Sequence, residues 1–166
     1  MSKPYGRKTK KKVGQILLEQ NRMKALNALE QIPEEQLIGH LFSYFYSGDM
    51  RVKFRSITAM GLLGERLTTK NIEKARILLR RLMWNLNDES GGIGWGSPEA
   101  MGEILSRSPE LAAVFKSILF SYLEPGGTYI EHEELQRGVI WGIGTYLEAA
   151  AGDLTEETKN QLYGHL

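Results

Sequence analysis

The sequence contains no cysteine. That absence excludes disulfides, thiolate zinc sites, iron–sulfur ligation and thiol nucleophiles together, and it is compatible with a reducing compartment. Histidine is almost as scarce: His40, His132 and His165 stand far apart. His132 and Glu133 begin as a His-Glu-x-x-His zinc motif would, but position 136 is Gln, so the second ligand is missing and no metal site is expected. Long apolar runs are missing too. No stretch approaches the roughly eighteen residues that a membrane span needs, and Ile16, Leu17 and Leu18 behind the basic N-terminus are too few for a signal-peptide core. A cytoplasmic location is the expectation. No serine or histidine has the local context of a catalytic triad. The adjacent acids Glu133–Glu134 and Glu156–Glu157 read as solvated helix surface rather than as an acid–base pair.

What is present is ordinary in amount and unusual in layout. The 166 residues, 42% hydrophobic and 25% charged, suit one domain. A chain of this length buries about two-thirds of its unfolded surface and needs no covalent staples. The net charge of +1 conceals four blocks: +6 over residues 1–12, −3 over 13–50, +7 over 51–81 and −9 over 82–166. Such segregation speaks to partners and steering, not to fold.

Periodicity predicts helices throughout. Residues 1–8, with Pro4 and Gly6, read as a loose basic arm, and one helical domain covers 9–166. Helices are expected at about 9–20, 22–31, 34–46, 50–67, 70–87, 97–107, 109–124, 131–150 and 154–164. Asp49, Thr69 and Ser97 are the expected N-caps, with Asp153 and Glu156 as a capping box for the last helix. The inward stripes are Val52, Ile57, Met60, Leu63 and Leu67 in the fourth helix, Leu111, Val114, Ile118 and Tyr122 in the seventh, and Leu135, Val139, Gly142 and Tyr146 in the eighth. No segment alternates in the strand pattern. The loops are short, which makes sequential helices antiparallel neighbours.

Three glycines inside predicted helices recur at a fixed interval: Gly61, Gly102 and Gly142. Each follows a large side chain (Met60, Met101, Trp141). The unit is a helix pair of about 40 residues, the HEAT and armadillo range. Glycine within a helix costs up to about 1 kcal/mol against alanine, so the series, with Gly64, Gly138 and Gly144, suggests close backbone approach between stacked helices.

The stretch 49–64, Asp-Met-Arg-Val-Lys-Phe-Arg-Ser-Ile-Thr-Ala-Met-Gly-Leu-Leu-Gly, resembles the second half of a HEAT repeat through Asp49, Arg51, Val52, Ala59 and Gly61, with the usual Val-Arg order reversed. The segment 89–100, Glu-Ser-Gly-Gly-Ile-Gly-Trp-Gly-Ser-Pro-Glu-Ala, is similar to that of an uncharacterised family of small bacterial HEAT-like proteins. The resemblance implies an all-α fold, a short right-handed α-solenoid of HEAT-like helix pairs. It implies no activity.

Within 89–99 the glycines 91, 92, 94 and 96 surround Trp95. A Rossmann reading fails for want of a preceding strand, and a P-loop reading for want of Lys and Ser/Thr. Two readings stay open: a backbone-rich loop offering N–H groups at a helix start, or a packing device with Trp95 plugging a gap. The repeat register gathers Asn85, Asp88, Glu89, Trp95, Glu99, His132, Glu133, Arg137 and Trp141 as a candidate ligand or partner groove, since large aromatics with arginine are the usual anchors of binding surfaces.

Arg51, Arg55, Lys70, Lys74, Arg76, Arg80 and Arg81 form a candidate basic patch. Three functions follow. The first is a non-enzymatic protein- or peptide-binding module without a cofactor. The second is nucleic-acid binding through the basic arm and patch, as in HEAT-like DNA glycosylases. The third is cofactor handling, as in HEAT-like bilin lyases.

Overall fold

The computed structural model describes residues 4–151 and is helical throughout, with no strand among them. The helices are α1 (Pro4–Leu17), α2 (Arg22–Glu30), α3 (Glu34–Tyr44), α4 (Met50–Lys70), α5 (Ile72–Asn85), α6 (Ser97–Arg107), α7 (Pro109–Ser121) and α8 (Glu133–Ala150), with a 3-10 turn at Asp88–Ser90. The expected helix at 154–164 and its capping box lie outside the described residues.

Among the described residues side chains cap three helix starts, Asn21 for α2, Asp49 for α4 and Asn71 for α5. Asp49 caps α4 by accepting from the amides of Arg51 (2.8 Å) and Val52 (3.3 Å). Three expectations change. Residues 4–8 are not a loose arm but the start of α1: Pro4 occupies the first position, where its missing N–H costs nothing, and the Arg and Lys residues behind it are good helix formers. Thr69 is not a cap. It and Thr68 donate back to the carbonyls of Glu65 and Gly64 inside α4, and Asn71, in extended conformation, ends α4 and caps α5. Ser97 is not a cap either, because Gly96 holds that position.

The inward faces of α4 and α8 follow the expected stripes, with Val52, Ile57, Met60, Leu63, Leu67, Leu135 and Val139 buried. In α7 the buried face is Leu111, Ala112, Phe115 and Leu119, and Val114 points out. That helix is apolar on several sides, so periodicity alone does not orient it.

The glycine period is a structural register. A Cβ on Gly61 would meet Glu103 at 2.8 Å, one on Gly64 would meet Ile104 at 2.7 Å, and one on Gly102 would meet the Gly142 carbonyl oxygen at 2.3 Å. Thr68 and Ser108 share a hydrogen bond of 3.2 Å. Residues about forty apart therefore lie side by side, and α4, α6 and α8 run parallel, nearly backbone to backbone. Helix α5 packs against α4 and α6, and α7 against α6 and α8.

At the other edge, α4 is tied to the first two helices by arginines. Arg55, buried, donates to the carbonyls of Leu17 (3.0 Å), Glu19 and Gln20 (3.2 Å). Arg66 donates to those of Glu30 (2.6 Å) and Ile32 (3.5 Å). Both place a positive charge where helix carbonyls end unsatisfied.

Candidate functional site

The register explains a notch at the start of α6. Ser97, its first residue, lies level with residue 57 in α4 and 137 in α8, forty away on either side. Since α4 begins at Met50 and α8 at Glu133, both flank the space beyond the α6 N-terminus. The turn through residues 91–96 runs into that space. Gly94 (φ +79°) and Gly96 (φ +75°) are left-handed, and a Cβ on either would collide, with the Asn85 carbonyl oxygen at 2.5 Å or the Phe45 ring at 2.8 Å. Trp95, held between them, is half-buried.

Four aromatic rings gather there. Trp95 meets His132 edge-on, with ring centroids 5.2 Å apart. Phe54 of α4 meets Trp141 of α8 at 5.4 Å. Lys53 links the pairs, its Nζ 5.9 Å from the Phe54 centroid and 6.0 Å from that of Trp95.

Glu99 lies at the base, only 6% exposed. Its carboxylate rests against α8 where Gly138 leaves room: a Cβ there would stand 2.3 Å from Glu99 Oε1. Burial pushes the Glu99 carboxyl above its ordinary value, opposed by its own amide and by the charge of Lys53. The contrast with Glu103, one turn on, is informative. Glu103 is equally buried but has its own cation, Arg107, at 3.1 Å. No side chain forms a hydrogen bond or close ion pair with Glu99 among the described residues.

Of the expected groove residues, Trp95, Glu99, His132 and Trp141 come together. The others do not join them. Asn85 supplies the carbonyl oxygen beneath Gly94 and accepts from the Ser90 hydroxyl (3.4 Å). Asp88 and Glu89 lie in the 3-10 turn, with Glu89 exposed. Glu133 and Arg137 pair with each other at 2.7 Å in solvent. Nothing in the sequence marks Lys53 and Phe54 as site residues, although the forty-residue period that aligns the glycines sets them beside residues 93 and 94.

His132 also borders a second feature, an open groove of about 1100 Å³ between α5, α7 and the segment 128–132. Arg80, Trp84, Ile93, Tyr122 and Tyr129 line it with His132. The Tyr122 hydroxyl is pushed up to about 12 by burial. Gln136 Nε2 donates to the Tyr129 hydroxyl and the Ile130 carbonyl, both at 2.8 Å, and the Ile130 amide donates to the Tyr122 carbonyl (3.0 Å), which fixes that wall.

The basic patch is largely occupied internally. Arg55 is buried on α1 carbonyls. Lys70 pairs with Glu34 (2.7 Å), Lys74 with Glu35 (3.7 Å) and Arg76 with Glu73. The Arg81 guanidinium lies 4.2 Å over the Phe42 ring. Arg51 and Arg80 remain exposed without an acidic partner among the described residues.

Over 115 residues, 69% of its length, the chain is 31% identical to an uncharacterized protein of Archaeoglobus fulgidus. The match takes in 56% of that protein, so the chain spans about half the length of the relative. No family model and no solved structure matches the chain.

Proposed function

We propose that this chain is a non-catalytic interaction module, a short right-handed α-solenoid of HEAT-like helix pairs, whose groove between α5, α7 and residues 128–132 receives a peptide segment of a protein partner. The observation that carries the reading is the rim of that groove. Trp84, Ile93 and Tyr129 are 51%, 47% and 45% exposed, large apolar surfaces that a solvated rim does not need. Arg80 stands one helical turn from Trp84 on the same face of α5 and has no acidic partner among the described residues. Arginine beside large aromatics is the usual anchor set of a binding surface. The complementary segment carries a bulky apolar side chain next to Asp or Glu.

Panning a random peptide library against the intact chain tests this. The expected result is enrichment of apolar–acidic sequences that bind the Arg80→Ala and Trp84→Ala variants at least about tenfold more weakly, the loss that removal of a single anchor produces. No enrichment, or peptides indifferent to both substitutions, would overturn the reading.

A further inference from the structure

The notch at the start of α6 lies apart from the peptide groove, with His132 as their common wall, and its chemistry is different. A carboxylate removed from water is costly unless a cation or hydrogen-bond donors replace the water. Glu103 meets that demand through Arg107. Glu99, 6% exposed, has no such side-chain partner among the described residues, only its own amide and the charge of Lys53: position 103, where an i+4 partner would stand, is itself acidic. Among the described residues the cation that acts on Glu99 is Lys53, through its charge and without a close ion pair, and it rests at the outer limit of cation–π range from Phe54 and Trp95. Close by, the Ser97 hydroxyl is fully buried and has no hydrogen-bond partner among the described residues. Trp141, packed on Phe54, keeps 38% of its surface open.

Unneutralised negative charge at the base, aromatic rings for walls and a loosely held lysine at the mouth describe a receptor for a second cation. We propose that this notch binds an organic ammonium group, with Glu99 as counter-charge, Phe54, Trp95 and Trp141 as walls, and Lys53 as a resident cation that moves aside on binding. The ammonium belongs either to a small free amine or to a lysine side chain of a partner. The recognising chemistry is the same.

The test is titration of the intact chain with n-butylammonium and, separately, with an acetylated and amidated Ala-Lys-Ala peptide, while the indole N–H resonances of its three tryptophans are followed by NMR. Sodium chloride at equal ionic strength is the control. Selective, saturable shifts of Trp95 and Trp141 with either probe, sparing Trp84, are expected. The arm that binds more tightly identifies the source. Glu99→Gln keeps the shape and removes the charge, and should weaken binding by about tenfold or more. Lys53→Ala removes the competitor and should tighten it by about two- to fivefold, the worth of an exposed cation–π contact. Shifts no larger than the sodium control with both probes, or a Lys53→Ala variant that binds no better than the parent, overturn the proposal even if Glu99→Gln fails to fold.

Discussion

Gly102 and Gly142 meet with no side chain between them: a Cβ on Gly102 would stand 2.3 Å from the Gly142 carbonyl oxygen and 2.4 Å from its Cα. The obstruction is backbone on both sides, so no rotamer change relieves it. Gly102→Ala should therefore cost at the upper end of the roughly 1–3 kcal/mol typical of overpacking, or more. Gly144, two residues beyond Gly142, has no atom of the described residues within 4 Å of where its Cβ would go. Gly144→Ala should stabilise α8 by up to about 1 kcal/mol through helix propensity alone. Urea unfolding of the two variants decides the matter, and equal effects would mean that the α6–α8 contact is looser than this geometry.

Arg55 leads to a second expectation. Its guanidinium serves the Leu17 carbonyl at the end of α1 and those of Glu19 and Gln20 just beyond, a task that a fork of donors performs and a single ammonium does not. Arg55→Met should cost about 3 kcal/mol, because charge-assisted hydrogen bonds are lost and the buried Leu17 carbonyl is left unmet. Arg55→Lys should recover part of that. Amide exchange in α1 should accelerate in both variants ahead of α6. Uniform acceleration across all helices would show that Arg55 does not act locally.

Glu99 makes stability depend on pH in an unusual direction. Its folded-state value is raised by burial above the ordinary 4.5, so the folded state binds the proton more tightly than the unfolded state does. The contribution of Glu99 to stability therefore falls as pH rises from 4.5 through the folded value. Glu99→Gln removes that penalty. It should raise the melting temperature at pH 7, and the gain should shrink as pH falls toward 4.5. The difference between variant and parent isolates Glu99 from other carboxylates, and a pH-independent difference would contradict the burial argument.

The sequence carried the helices and their register because both are periodic signals. Gly61, Gly102 and Gly142 mark where backbones touch, and no other residue fits there. Caps were less legible. Thr69 and Asn71 compete for one boundary, and the hydroxyl of Thr69 satisfied itself inside the helix instead. The site was legible in half. Trp95, Glu99, His132 and Trp141 stand out as unusual, but Lys53 and Phe54 lie in a stretch dominated by its repeat pattern, and their contacts reach across one unit to Trp95 and two to Trp141. Arg55, a member of the expected basic patch, is buried. Nothing local to residue 55 separates an arginine facing solvent from one facing the carbonyls of α1.

The basic block bears on the nucleic-acid alternative. Positive charge attracts phosphates only where it is free, and here Glu34 holds Arg66 (3.1 Å) and Lys70, Glu35 holds Lys74, and Glu73 holds Arg76. The hydrogen bond from Lys70, aided by nearby cations, keeps the Glu34 carboxyl below its ordinary value, so the pair stays charged through mildly acidic pH. Exposed ion pairs contribute little to stability, and Glu34→Gln, Glu35→Gln and Glu73→Gln together should leave the fold intact while unmasking these cations. Duplex DNA should bind the parent weakly and with a shallow salt dependence. In the triple variant the slope of log affinity against log salt should steepen by roughly two to three, about 0.9 for each phosphate newly neutralised. Fluorescence anisotropy across a salt series measures both slopes. A parent as salt-sensitive as the variant would show that the internal pairs do not mask the block and would return nucleic acid to the front as a partner.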